Sequence, residues 1–236
     1  MMRNLIYTYT IDDHERLNED LLAFFDTLPT KVGDQDYNLG ISKFDGHNHH
    51  TAPFLPPQWQ YQDSINDYNN LTEGQKDRDW KAFEERYPHI AYKRMFLDAA
   101  APKFHEHALT HIQPDITGLN YRHNIMHMWY HQMQKSDYIG WDNHQYCQWS
   151  GVYFIEVPDP KYITEFLDHH SLEVMQPAAT YAGDMIIFPS WLLHRAPIMQ
   201  TDQRKSIISW NMDVTYVFSD EYLNSLKQTH PQNWNS

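Results

Sequence analysis

Two apolar strand segments in the second half of the chain each stand next to side chains that can bind a metal ion. The first segment, Ser150 to Ile155, follows Asp142 and His144, and the second, Gly183 to Trp191, continues to His194. Side chains alternate along an extended chain, so two residues that are two positions apart point to the same side. Asp142 and His144 can therefore bind one metal ion together.

The third candidate ligand is His194, at the end of the second apolar segment. Two imidazole nitrogens and one carboxylate on one side of a metal leave the opposite coordination positions open, which is the facial triad of non-haem iron(II) sites. The sequence thus predicts Asp142, His144 and His194 as the metal ligands. Two other interpretations stay open: Asp142 suits a turn, and either His could be a packed member of the 16 histidines in the chain.

Three motifs in a fixed order extend this pattern: Ser150-Gly151-Val152-Tyr153-Phe154, then Gly183-Asp184-x-x-x-Phe188-Pro189-Ser190-x-x-x-His194, then the strand from Arg204 to Asn211. With them, residues from about 125 to 216 resemble the 2-oxoglutarate and Fe(II)-dependent dioxygenases, in particular the prolyl-hydroxylase-like branch common in bacteria and phages. The resemblance implies a mainly β fold with N-terminal helices around a double-stranded β-helix, or jelly roll. It also implies Fe(II) and 2-oxoglutarate as cofactors.

The near pair of ligands departs from the pattern of that superfamily. The superfamily usually has His-x-Asp or His-x-Glu at this point, and this branch often has His-x-His, whereas the present chain has Asp142-x-His144. The donor set is still two imidazoles and one carboxylate, but the carboxylate occupies the other position.

The resemblance implies that the far carboxylate of 2-oxoglutarate meets a cation on the strand after the distal His. Arg204 and Lys205 both stand there, and a shift of one residue decides which of them faces inward. The usual Arg-x-Ser pairing favours Arg204 with Ser206, while the spacing to the later Asn favours Lys205, and we expect Arg204. Tyr130 and Tyr153 are further candidates for contacts with the cosubstrate.

Composition excludes some partners. A formal net charge of -13, from 31 acidic and 18 basic residues, argues against direct binding to nucleic acid or to an anionic membrane. The only cysteine, Cys147, permits no intrachain disulfide, and no stretch of ~20 apolar residues is present. We therefore expect a soluble, cytoplasmic protein, with no prediction of its oligomeric state.

The 236 residues suit a single domain with three parts. Residues 1–117 are predicted to be helical and loop-rich, with helices after Asp13, over 79–87 and over 92–112, the last broken at Pro102, and with a long loop over 45–76. Residues 118–218 form the jelly-roll core with the metal site, and residues 219–236 form a C-terminal helix and tail. In the core, His127 and His131 are interpreted as surface or hydrogen-bonded residues.

These observations predict a hydroxylating dioxygenase. With Fe(II), 2-oxoglutarate and O2 it would hydroxylate an unactivated C–H bond of a peptide or protein, prolyl-like, or of a small molecule, and release succinate and CO2. One alternative is a catalytically silent jelly roll that serves as a binding or structural module, which the order Asp-x-His motivates. Another is a cupin-like metalloprotein that uses no cosubstrate.

Overall fold

The fold is described from a computed structural model, which covers residues 5–27, 43–44, 91–112, 119–177 and 180–218, together with residues 85, 224 and 228. Two α-helices are present in these ranges, α1 (His14–Thr27) and α2 (Ala91–His107), and α2 continues into a π-helical turn (Ala108–Ile112). The strands are β1 (Tyr7–Thr10), β2 (Lys43–Phe44), β3 (Leu119–Met133), β4 (Ile139–Asp142), β5 (Trp149–Glu156), β6 (Glu165–Leu167), β7 (Val174–Met175), β8 (Asp184–Pro189), β9 (His194–Ala196) and β10 (Lys205–Phe218).

The strands form two antiparallel sheets. The main sheet has the order β1-β8-β5-β10-β3-β2, and the minor sheet has the order β4-β9-β6-β7. From β3 to β10 the chain crosses repeatedly from one sheet to the other, which is the topology of a double-stranded β-helix. The predicted mainly β, jelly-roll fold is confirmed. Strands β1 and β2 add to the two edges of the main sheet, so the N-terminal part contributes more than helices and loops.

Each strand of the main sheet divides its side chains between two buried layers. In β5, Val152 and Phe154 face the minor sheet, while Tyr153 and Ile155 face the helices. The layer between the sheets is completed by Ile6, Ile163, Phe166, Ile186, Phe188, Leu192 and Ile207. Because both faces of the main sheet are buried, β5 and β8 carry apolar side chains at consecutive positions, from Val152 to Ile155 and from Met185 to Phe188.

Both helices cover the outer face of the main sheet. In α1, Leu21 and Phe25 are four residues apart and fully buried, as expected for one face of a helix. In α2 the buried residues Phe96, Ala100 and Phe104 repeat the same spacing, and Pro102 lies inside the helix. The predicted break at Pro102 is wrong, because the packing of this stripe stabilises the helix despite the backbone hydrogen bond that proline removes.

A close contact fixes the position of Gly151 in β5. A Cβ atom at this position would lie 2.1 Å from Cζ2 of Trp210, whose indole covers the glycine from the neighbouring strand β10. Such a separation is far inside van der Waals contact, so no larger residue fits here. The Ser-Gly-Val-Tyr motif therefore has a packing reason for its glycine.

Some predictions fall outside the described ranges. The predicted helix over 79–87, the loop over 45–76 and the C-terminal segment 219–236 lie there, apart from the single residues 85, 224 and 228. Within the described ranges, none of the helices has the length and apolar character needed to cross a bilayer.

Candidate metal and cosubstrate site

Strand pairing in the minor sheet brings the three predicted ligands together. β4 and β9 are antiparallel neighbours, and Asp142 lies directly opposite His194. The Oδ2 atom of Asp142 is 3.5 Å from Nε2 of His144, and the rings of His144 and His194 are nearly parallel with centroids 5.3 Å apart. Two imidazoles and one carboxylate from distant parts of the sequence thus meet at one end of the double-stranded β-helix.

Backbone hydrogen bonds hold the two ligand-bearing segments against each other. The N–H of His144 donates to the carbonyl of Ser190 at 2.8 Å, and the N–H of Ser190 donates to the carbonyl of Gln148 at 3.0 Å. The hydroxyl of Ser190 also donates to the carbonyl of Cys147. The Phe-Pro-Ser motif therefore anchors the turn that contains His144, and the chain itself positions the ligands.

His194 has the arrangement of a metal-binding imidazole. Its Nδ1 lies 2.9 Å from the carbonyl oxygen of Leu192, and since a carbonyl only accepts, Nδ1 must carry the hydrogen. The lone pair is then on Nε2. Burial against Phe166 and Phe188 lowers the pKa of His194 below its usual range, which keeps the ring neutral and able to bind a metal.

The donor set matches Fe(II) in type and number. Asp142 accepts from the N–H of Asn143 at 2.8 Å through Oδ1, so that Oδ2 is the oxygen on the side of His144. Its side chain is 61% exposed, which places the carboxylate at an open mouth. Across the described ranges, no three His, Cys, Asp or Glu side chains have converged into a formed metal cluster. The three predicted ligands are neighbours in the fold.

Of the two candidate cations, Lys205 is the one that faces the interior. It is fully buried, its ammonium donates to the carbonyl of Tyr162, and its Nζ lies 6.0 Å from the centre of the Phe154 ring. Burial lowers the pKa of Lys205 to about 7, although the charge of Glu165 acts in the opposite direction. A desolvated lysine inside the β-helix is a suitable partner for a carboxylate.

The expectation that Arg204 faces inward needs correction. The guanidinium of Arg204 donates to Glu156 and, at 2.8 Å, to Asp26 in α1, so it lies on the helix side of the main sheet. Ser206 shares that side, where it donates to Glu156 at 2.7 Å and accepts from Gln132 at 3.2 Å. Lys205 stands between these two residues and points to the opposite side because side chains alternate along the strand.

The two tyrosines proposed for the cosubstrate also need correction. Tyr130 is stacked on Phe25 of α1 with ring centroids 4.1 Å apart, and the hydroxyl of Tyr153 donates to Asn18 of the same helix. Both rings belong to the layer under the helices, and the main sheet separates them from His144 and His194. They are core residues in this fold.

Four further side chains around the candidate site were not predicted as site residues. Trp129 lies parallel to the ring of His144 with centroids 5.9 Å apart, and His131 is buried on the same face of β3. Tyr146 and Asn211 contact each other beside His144. The alternation of side chains along β3 places Trp129 and His131 on the same face of the strand. The sequence does not indicate that this face points between the two sheets rather than toward the helices.

A groove of about 450 Å³ borders the two strands that carry ligands. Gly140 and Trp141 of β4 and Arg195 of β9 line one side of it, and Arg195 lies over the Trp141 ring at 4.4 Å. The remaining lining residues are Tyr138, Ile139, Lys161, Tyr162, Ala196, Pro197, Ile198 and Gln200. Aromatic and apolar side chains therefore predominate next to the ligands.

The sequence of the jelly-roll core resembles that of a known protein family. Residues 127–211 match the family model described as putative 2OG-Fe(II) oxygenase, and the match contains all three predicted ligands together with Lys205. No curated protein matches the chain.

Several solved structures resemble the fold. A 2OG-Fe(II) oxygenase family oxidoreductase from Burkholderia pseudomallei is 12% identical, with 89% of this chain and 85% of that chain covered and a TM-score of 0.44. A Pseudomonas putida prolyl-4-hydroxylase is 8% identical, with coverages of 90% and 99% and a TM-score of 0.41. A Trichoplax adhaerens prolyl hydroxylase in complex with a hypoxia inducible factor peptide fragment is 7% identical, with coverages of 90% and 88% and a TM-score of 0.49.

Proposed function

We propose that this chain is a 2OG-Fe(II) oxygenase, as the family model that matches residues 127–211 suggests, and that it hydroxylates an unactivated C–H bond of a prolyl-like side chain in a peptide or protein. The observation that carries the proposal is the meeting of Asp142, His144 and His194 at the mouth of a double-stranded β-helix whose interior contains the buried cation Lys205. Enzymes of this family use Fe(II) and 2-oxoglutarate.

The three ligands would hold the iron. His194 contributes Nε2, since Nδ1 is bonded to Leu192, and Asp142 contributes the oxygen nearest His144. When bound, Fe(II) and 2-oxoglutarate provide the oxidative chemistry: O2 is activated, a C–H bond is hydroxylated, and succinate and CO2 are released. The hydrogen bond to Leu192 fixes the tautomer and the ring orientation of His194.

Lys205 would neutralise the far carboxylate of 2-oxoglutarate. A buried ammonium loses its hydration, so a carboxylate beside it replaces water as its partner in a medium where the attraction is strong. Glu165 already acts on Lys205 electrostatically but is paired with Arg195 at 2.6 Å. The far carboxylate of the bound cosubstrate would therefore provide a negative charge to pair with the ammonium of Lys205.

Aromatic side chains would exclude water around the reaction. Phe166 and Phe188 pack on His194, and Trp129 covers the ring of His144. A dry, apolar wall prevents the activated oxygen from being consumed by solvent or by the protein. Asp142, in contrast, lies toward solvent, which leaves an entrance for the substrate.

The groove beside β4 and β9 supports a peptide or protein substrate over a small molecule. It is lined by aromatic and apolar residues such as Tyr138, Trp141 and Ile198, of which Trp141 directly precedes the ligand Asp142. Proline-containing segments are extended and dock well on aromatic grooves. A chain bound in this groove would lie along β4 and β9, the two strands that carry Asp142 and His194.

A silent jelly roll is the second candidate, and the exposed carboxylate of Asp142 favours it. Such a module would bind neither Fe(II) nor 2-oxoglutarate. A cupin-like metalloprotein would bind iron and would be indifferent to the replacement of both Arg204 and Lys205.

The test is succinate formation. Protein loaded anaerobically with Fe(II) is mixed with 2-oxoglutarate, O2 is admitted, and succinate is measured with and without proline-containing peptides. We expect turnover in the natural chain and none in the Asp142→Ala, His194→Ala double variant, with the exposed His170→Ala as the matched control. If neither turnover nor metal-dependent 2-oxoglutarate binding occurs, the enzyme proposal fails and the binding module replaces it.

A further inference from the structure

We infer that Tyr146 is a positioning residue for the ligand His144 and that the buried pair Asn211 and Ser150 sets its orientation. The inference rests on the metal site proposed above. It assigns a role to three side chains that lie outside the ligand set and outside the cosubstrate site.

The two nitrogens of His144 face different partners. Nε2 lies 3.5 Å from Oδ2 of Asp142, which is the side on which a metal would bind. Nδ1 lies 3.4 Å from the phenolic oxygen of Tyr146, within hydrogen-bonding reach. When Nε2 coordinates a metal, Nδ1 must carry the hydrogen, and the phenolic oxygen then accepts it.

The amide of Asn211 fixes the phenolic oxygen in place. Its Oδ1 accepts from the hydroxyl of Ser150 at 2.9 Å, and its Nδ2 donates to the phenolic oxygen of Tyr146 at 3.0 Å. A flipped amide would lose both bonds, so the pair determines the amide orientation. Asn211 is fully buried and Ser150 is 2% exposed, which protects this chain of hydrogen bonds from competition by water.

Ring packing supports the same orientation. The ring of Tyr146 meets that of His127 at 86° with centroids 5.7 Å apart, so β3 holds one side of the phenol. Asn211 pairs with Ser150 on one side and with His127 on the other in the main sheet. The positioning chain therefore begins in the rigid centre of the main sheet and ends at a ligand in the turn after β4.

His144 and His194 are then held by different means. His194 is oriented by a backbone carbonyl two residues away, which no substitution removes. The orientation of His144 depends on the side chain of Tyr146, which is 49% exposed at the mouth. His144, which lies beside the substrate entrance, is therefore the predicted ligand whose hydrogen-bond partner can be removed by a substitution.

The experiment measures Co(II) affinity by titration and the visible spectrum of the Co(II)-loaded protein. Removal of an outer partner of a metal-bound imidazole costs about 10–100-fold in affinity, and we expect Tyr146→Phe to show a loss in this range with a shifted Co(II) spectrum. The matched control is Tyr181→Phe, a phenol that is 59% exposed. The metal-free Tyr146→Phe protein should unfold at a lower denaturant concentration, because the buried Nδ2 of Asn211 loses its acceptor, so Co(II) affinity is compared in buffer without denaturant, where both proteins are folded.

A second variant separates positioning from a structural role. Asn211→Leu should weaken Co(II) binding, and adding it to Tyr146→Phe should cause little further loss, because both changes interrupt the same chain of hydrogen bonds. If the natural chain binds Co(II) and Tyr146→Phe binds it within twofold, the inference is overturned and the metal site stands. If the natural chain binds no Co(II), the metal site and the inference fail together.

Discussion

Arg204 and Lys205 are adjacent in sequence, but their side chains lie on opposite faces of the main sheet. The guanidinium of Arg204 is bound to Glu156 and Asp26 on the helix side, whereas the ammonium of Lys205 is bound to the carbonyl of Tyr162 between the sheets. Only Lys205 faces the space between the two sheets, where the predicted metal ligand His194 also packs. The choice between the two cations is therefore decided by the register of β10.

Replacing these two residues separately tests the assignment of the cosubstrate cation. A hydrogen bond to a charged group contributes about 1.5–3 kcal/mol, so Lys205→Met should weaken 2-oxoglutarate binding by roughly 10-fold or more. Arg204→Met should leave the affinity unchanged and lower stability by less than about 1 kcal/mol, because its ion pairs are partly exposed. Titration calorimetry of the Ni(II)-loaded proteins measures both. If only Arg204→Met lost affinity for 2-oxoglutarate, Arg204 rather than Lys205 would be the cation that binds its far carboxylate.

Cosubstrate binding should take up a proton above neutral pH. The pKa of Lys205 is lowered to about 7 by burial, so at pH 8 most of the free protein carries a neutral lysine. A carboxylate beside it favours the ammonium and raises that pKa, so binding at pH 8 draws a proton from the buffer. The uptake should diminish toward pH 6, where Lys205 is already charged. Calorimetry in buffers with different ionisation enthalpies measures it, and Lys205→Met should abolish it.

The corrected role of Tyr153 predicts a loss of stability without a loss of binding. Tyr153→Phe leaves the buried oxygen of Asn18 without the phenol's hydrogen bond, which should cost about 1–3 kcal/mol in the free energy of unfolding. The affinity for 2-oxoglutarate should stay the same, because the ring faces the helices. Urea denaturation with Tyr181→Phe as the control checks the first point. A large drop in cosubstrate affinity would mean that Tyr153 acts on the site after all.

Gly151→Ala should strongly destabilise the fold. Its methyl group would overlap the indole of Trp210, and overpacking of a core typically costs about 1–3 kcal/mol. Gly140→Ala is the matched control, since nothing lies within 4 Å of a Cβ atom there. Thermal unfolding of the two variants compares them directly. Equal melting temperatures would show that Trp210 can move away at little cost.

Exchange of the donor at position 142 should preserve metal binding. Asp142→His restores the His-x-His order common in the related branch, and its Co(II) affinity should remain measurable. Asp142→Ala removes a predicted direct ligand. Its Co(II) affinity should fall by more than the roughly 10–100-fold that follows the loss of an outer partner of a ligand. Co(II) titration distinguishes the two variants. Equal affinities in Asp142→Ala and the natural chain would exclude Asp142 as a ligand.

The proximity of Asp142, His144 and His194 could be predicted because each step depends on local chemistry. The spacing of Asp142 and His144, and the motif that ends in His194, follow from alternation along strands and from known donor types. The jelly-roll fold, which the resemblance implied, is confirmed. The three predicted ligands lie near one another at the end of β4, at the start of β9 and in the turn after β4, and their role in metal binding stays a prediction.

The face on which Tyr130, Tyr153 and Arg204 lie could not be predicted. Both faces of the main sheet are buried, so the pattern of apolar residues does not show which face the helices cover. The pairing of β10 with β5 also shifts register between Ser206 and Ile207, which no feature of the sequence indicates. The position of Pro102 inside α2 could not be predicted for a similar reason. Packing of the buried stripe against the main sheet outweighs the tendency of proline to end a helix.

The pairing of Asp142 with His194 places residue 142 opposite His194, so that either an aspartate or a histidine at position 142 would stand at the same point of the scaffold. With aspartate there, a divalent ion and its three ligands together carry a single positive charge, whereas a third imidazole would leave two. The attraction that the ion exerts on a negatively charged cosubstrate therefore differs between the two versions of the same scaffold. One substitution at the end of a strand can thus adjust the electrostatic potential of the site while the backbone stays unchanged.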